Sequence, residues 1–163
     1  MMGDRNSKSM FAYEDFVVGK PMSLGPYTVS KEEIIAFSEE FDPQPFHLSD
    51  EGGKDTLAGG LIASGWHTCS ILMRMMCDAY LNNSLSQGAP GIDEVKWLNP
   101  VRPGDVLSGH SIVTEKRVSR SRPEIGIFTI KHELINQNSK TVLTIQNTGM
   151  MGLRNPVSAK GNV

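Results

Sequence analysis

Residues 64–82, SGWHTCSILMRMMCDAYLN, constrain the fold more than any other stretch of the chain. At helical spacing Trp66, Ser70, Met73, Cys77 and Tyr80 fall on one face, while Ile71, Leu72, Met75 and Met76 cover much of the remainder. A helix that is apolar on most sides has to be enclosed rather than laid on a surface. Its methionines, at that spacing, are adaptable core filler rather than a cofactor box. The C-terminal half of the chain supplies the cover. GIDEVKWLNPV, VLSGHSIVTEKRVS and EIGIFTIKHELINQNSKTVLTIQNTGMMGLR carry strand patterns, with turns at RPGD (102–105) and NQNS (136–139). Strands joined by hairpins rather than by helices form an antiparallel sheet. The expected architecture is therefore α+β, an antiparallel sheet wrapped around one long central helix.

The front half supplies an extended arm, FAYEDFVVGKPMSLGPYTV, and a second, shorter helix. Ser30 and Glu33 form the S-x-x-E capping box, and Ile34, Phe37 and Phe41 share one face over residues 31–41. Asp42-Pro43 ends that helix, because a residue before proline is pushed out of the α region. With 163 residues and no repeat or linker, one domain is expected over 11–154, between a polar lead-in (1–10) and a tail (155–163). A net charge of −2 gives no electrostatic reason to expect nucleic acid as partner. No apolar run approaches the roughly 20 residues that span a bilayer, so no membrane partner is expected. The N-terminus lacks the apolar region of a secretory signal. Cys69 and Cys77 would lie about 12 Å apart on one helix, too far for a disulfide. Reduced core thiols fit a cytoplasmic compartment.

The chemistry is concentrated in FDPQPFHLSDEGGKDTLAGGLIASGWHT, residues 41–68. Asp42 and His47 are five positions apart, and Pro43 and Pro45 stiffen the segment between them into a non-helical strut. A carboxylate beside an imidazole can take a proton from water and deliver one elsewhere, as addition of water across a double bond requires. Gly59, Gly60 and Gly65 surround the start of the central helix. Free backbone N–H groups and the positive end of the helix dipole there suit a carbonyl oxygen that gains charge. His67 reads as a satisfied helical histidine, and nothing nearby recruits His110 or His132. No spacing of His, Cys, Asp and Glu suggests a metal site, and no cofactor motif is present.

These residues resemble a known family. DPQPFH is similar to the D-x-N-P-x-H segment of the MaoC-like dehydratases, the (R)-specific enoyl-CoA hydratases of the hotdog fold. The resemblance runs from about Tyr13 to Leu153 and includes the YEDFVVGK arm, the capped helix, GGLIASGWHTCSIL, and GIDEVKWLNPVRPGDVL with its P-V-x-x-G-D turn. It implies a single hotdog domain with an overhanging segment that carries the short helix and the catalytic loop. It also implies a homodimer or higher homo-oligomer, no cofactor, and reversible hydration of a trans-2-enoyl thioester of coenzyme A or an acyl carrier protein. By position, Asp42 and His47 become the dyad that activates water, Gly65 offers its N–H to the thioester carbonyl, and Ser70 helps orient the dyad. Gln44 and Pro45 support the segment. Two departures stand out: Gln44 replaces the family's asparagine, and Ser64-Gly65 stands where His-Gly is frequent.

Two other activities fit the same fold. A hotdog thioesterase would place a carboxylate near the start of the central helix, where this chain has none before Asp78. A non-catalytic thioester-binding protein would be expected to lose the dyad. Arg117, Arg120 and Arg122 read as a solvated basic loop or, alternatively, as contacts for a coenzyme A phosphate.

Overall fold

A computed structural model describes residues 10–156. The polar segments expected at 1–10 and 155–163 lie outside the described residues except at their inner ends, which are tied down. The Arg154 guanidinium donates to the Met10 carbonyl and to Asp15, and the Asn155 N–H donates to Glu14.

The elements in chain order are β1 (Pro21–Thr28), α1 (Lys31–Phe41), α2 (Pro45–Leu48), α3 (Asp50–Gly53), α4 (Gly65–Ala79), β2 (Ser86–Trp97), β3 (Val106–Val118), β4 (Ile125–Ile135) and β5 (Thr141–Gly152). The strands form a five-stranded sheet in the order β1-β3-β4-β5-β2 with every pairing antiparallel. This is the hotdog fold, with α4 as its central helix.

Helix α1 begins at the expected capping box. Ser30 Oγ accepts from the Glu33 N–H at 3.1 Å, and Glu33 accepts from the Ser30 N–H at 3.2 Å. Its buried residues are Ile34 and Ser38, whereas Phe41 is 65% exposed and packs against Phe37. The expected apolar face therefore ends one turn early.

Helix α4 buries Ile71, Leu72, Met75 and Met76 in a core shared with Leu107, Leu134, Val142, Leu143 and Ile145 of the sheet. It stops at Ala79, and Leu81–Asn83 continues as a 3-10 turn. The expectation of a fully enclosed helix needs correction for the single chain. Trp66 is 58% and Met73 51% exposed, so the Trp66–Ser70–Met73 face lies open. Strand β2 is open as well: every residue in it except Val95 is exposed. It starts at Ser86, earlier than Gly88, because Gly88 at φ +89° lets the chain bulge and resume pairing with β5.

Candidate active site

Asp42 follows α1 directly and Gln44 is extended, as the prolines dictate. The expected non-helical strut does not continue to His47. Pro45 starts a single helical turn, α2, since proline is preorganised for the first helical position and lacks the N–H that would go unpaired there. That turn swings His47 back over Asp42, and Nε2 sits 3.3 Å from Asp42 Oδ2.

The glycine-rich segment holds the imidazole from behind. His47 Nδ1 lies 2.8 Å from the Ile62 carbonyl. A carbonyl only accepts, so Nδ1 carries the hydrogen and Nε2 is left for the pocket. Ile62 is itself fixed by its N–H to the Phe46 carbonyl, and Ala63 by its N–H to the Val101 carbonyl. Asp50 accepts from the Leu61 N–H, and Arg102 donates to the Ala58 carbonyl. Gly60 turns the chain at φ +142°, and Gly53 lets the two backbones touch, because a Cβ there would come within 2.0 Å of the Gly60 carbonyl oxygen. The outer glycines thus serve the packing that aims His47.

Both oxygens of Asp42 are engaged. Gln44 Nε2 donates to Oδ1 at 2.7 Å, and Ser64 Oγ donates to Oδ2 at 2.7 Å. Burial pushes the carboxyl pKa up, but these two hydrogen bonds and the neighbouring His47 outweigh it and hold the group below the usual carboxylate value. Asp42 is therefore ionised at neutral pH. Ser64 also caps α4 by accepting from the Trp66 N–H at 3.3 Å.

Ser64, not Ser70, is the serine that touches the dyad. Ser70 bonds back to the Trp66 carbonyl at 2.9 Å on the open face of α4. The faces of α4 do not reveal this, because the contact to Asp42 comes from the helix N-cap. Gly65 opens the helix, in the first turn whose N–H groups have no intrahelical acceptor. Asp42, Gln44, His47, Gly65, Trp66, Thr68 and Trp97 line one pocket of about 470 Å³. Pro45 positions the turn without lining it.

Arg117, Arg120 and Arg122 do not meet this pocket. They lie where Val118 pairs with Gly126, whereas Trp97 pairs with Leu143 at the opposite end of the sheet. Strand β3 has 13 residues, which is roughly 40 Å of extended chain. Within one chain they sit at the end of the sheet away from the Asp42–His47 pocket.

The other histidines are structural in part. His67 stacks on Phe37 with centroids 4.8 Å apart and has Nε2 3.4 Å from Glu33, while its buried Nδ1 lacks a partner among the described residues. His132 is recruited after all. Its Nδ1 is 2.7 Å from Ser111 Oγ and its Nε2 3.1 Å from Asn147 Oδ1, a network across three strands. Burial lowers its pKa to about 4, keeping it neutral. Among the described residues no three His, Cys, Asp or Glu side chains converge to hold a metal ion, and no helix is long and apolar enough to cross a membrane.

A hotdog sheet with a carboxylate–imidazole pair held over the N-terminus of its central helix defines a class, and comparison with known proteins narrows it. The MaoC-like domain matches residues 15–134, and the chain belongs to the MaoC-like dehydratase family. A MaoC-like dehydratase from Rhodospirillum rubrum is 36% identical, with a TM-score of 0.78 over 90% of this chain and 99% of that one. The uncharacterized protein YdeM of Bacillus subtilis is 28% identical over 130 residues, 79% of this chain and 90% of its own. The R-hydratase PhaJ1 of Pseudomonas aeruginosa shares the fold, with a TM-score of 0.69 over 94% of this chain and 96% of that one at 16% identity.

Proposed function

We propose that this chain catalyses the reversible hydration of a trans-2-enoyl thioester to the (R)-3-hydroxyacyl thioester. The observation that carries the reading is the Asp42–His47 pair, 3.3 Å apart, with His47 Nδ1 committed to Ile62 and Nε2 turned to a pocket that Gly65 also lines. A water held between Asp42 and His47 loses a proton to the pair as its oxygen bonds to C3 of the enoyl group. Charge moves through the C2–C1 bond to the thioester oxygen, where the Gly65 N–H and the positive end of α4 stabilise it. The pair returns a proton to C2, so nothing is consumed beyond the water. The two groups act as a unit, and the proton belongs to the pair rather than to either residue.

The (R) configuration is supported by the likeness to proteins named R-hydratases. The thioester carrier is coenzyme A or an acyl carrier protein; a 3R-hydroxyacyl-ACP dehydratase shares the fold. Thioester hydrolysis is disfavoured because the first turn of α4 carries no carboxylate. The first acid on that helix is Asp78, which is paired with Arg74 at 3.0 Å. The active unit is a homodimer: β2 offers an unpaired, exposed edge beside Trp66, Met73 and Ile92, each more than half exposed. Edge pairing of two copies would cover both.

The test is the reverse reaction. Incubation with (R)-3-hydroxybutyryl-CoA should form crotonyl-CoA, and the (S) isomer should not react. Release of free coenzyme A from either isomer without enoyl formation would overturn the reading in favour of a thioesterase.

A further inference from the structure

Two tryptophans, both about half exposed in the single chain, line the catalytic pocket beside Gly65. Trp97, the last residue of β2, donates its Nε1–H to the Gly65 carbonyl at 2.9 Å. Its ring lies over that residue, since a Cβ on Gly65 would come within 2.6 Å of Trp97 Cε2. Trp66 meets the indole edge-on, with centroids 5.3 Å apart and an interplanar angle of 78°. On the other side of Trp66 is a second, largely apolar cavity of about 610 Å³, lined by Cys69, Met73 and Met76 of α4 together with Ile92, Ile145 and Met150 of the sheet. Among the described residues, Trp66 alone lines both spaces.

We infer that the Trp66–Trp97 pair is a partition that sets acyl-chain length. It admits short enoyl thioesters and closes longer chains off from the apolar cavity behind it. This rests on the enoyl-thioester reading above. With the thioester carbonyl at Gly65, an acyl chain leaving the dyad along α4 meets the indoles within the first turn of the helix. The hydrogen bond to Gly65 fixes one ring, and the edge-to-face contact fixes the other against it. The cavity behind is of the size that ligand pockets usually have, so what limits the chain is access rather than space. Neither tryptophan side chain bonds to Asp42 or His47, whose partners are Ser64, Gln44 and Ile62. The pair therefore acts on which substrate fits rather than on the proton transfers.

The experiment compares kcat/KM for crotonyl-CoA and trans-2-dodecenoyl-CoA in wild type, Trp66→Ala and Trp97→Ala. Wild type should favour the four-carbon substrate, and each alanine variant should raise the twelve-carbon to four-carbon ratio by about tenfold or more, the scale on which apolar pockets discriminate chain length. The ratio is taken within one preparation, so a partly unfolded sample does not alter it. Trp66→Ala removes a side chain outside the core of the single chain, and light scattering shows whether the variant keeps the wild-type assembly in which the ratio is compared. An unchanged ratio in both variants, or a wild type that already takes the twelve-carbon chain equally well, would overturn the partition while leaving the hydratase reading intact. A wild type inert on both chains, as coenzyme A and as acyl-carrier-protein thioesters, would instead sink the hydratase reading, and the partition with it.

Discussion

Ser64 serves two structures at once, the carboxylate of Asp42 through Oγ at 2.7 Å and the N-terminus of α4 through the Trp66 N–H. Under the proposed mechanism Ser64→Ala should therefore cut kcat by about tenfold or more, through loss of an oriented hydrogen bond to the Asp42 carboxylate. It should also cost about 1 kcal/mol of stability as a lost helix cap. Kinetics and thermal melts on one variant check both effects. Nothing in the local sequence announces this role, because the contact bridges 22 positions and depends on the path of the loop between them. The closeness of Asp42 and His47, by contrast, was legible, although it comes from the helical turn that Pro45 starts rather than from a non-helical strut. A second effect at this scale concerns His132, whose folded pKa of about 4 lies below its ordinary 6.5. The unfolded chain binds the proton that the folded chain refuses, so this histidine's contribution to stability is fully present above pH 6.5 and disappears as pH falls towards 4. For a ring this deeply buried, the loss amounts to about 3 kcal/mol. Denaturant melts between pH 7 and 4 should show a steep fall in wild type and a shallower one in His132→Gln. Equal slopes would contradict it.

Helix α4 was legible as an element but not as an environment. Its apolar periodicity located it to within three residues at the C-terminal end, where the chain tightens into a 3-10 turn. The same periodicity could not say which apolar face meets the sheet and which faces outward. Ile71, Leu72, Met75 and Met76 are buried in the core, whereas Met73 and Trp66 are not. The basic residues at the end of β3 and just after it show a related limit: composition shows that arginines gather, not where the fold places them relative to the pocket. At the start of α4, a methyl on Gly65 would collide with the Trp97 ring. Gly65→Ala should displace that indole, shifting tryptophan emission, and should lower hydration by about tenfold or more by crowding the carbonyl site. Unaltered emission and full activity would show that the helix start tolerates a side chain.

In the whole molecule, the features left uncovered lie together. The long edge of β2, the open face of α4 and the apolar cavity are contiguous through Trp66, Ile92 and Met73. A chain that ended its assembly as a monomer would leave an exposed, long strand edge, which natural sheets avoid. Light scattering should give a dimer, and Ile92→Glu should shift it towards monomer by placing like charges where two edges meet. A monomeric wild type at micromolar concentration would contradict this. Fold class was readable because helix and strand periods are properties of neighbouring residues. The mate of an edge strand is not such a property.

The most direct measurement is the initial rate of crotonyl-CoA hydration by wild type and by Asp42→Asn, followed as loss of enoyl-thioester absorbance, with the product resolved for chirality. Wild type should convert it to (R)-3-hydroxybutyryl-CoA. The variant should be slower by about 10²-fold or more, with its melting temperature nearly unchanged. A folded Asp42→Asn protein that hydrates at the wild-type rate would contradict the account, because the reaction would then run without the carboxylate on which it is built.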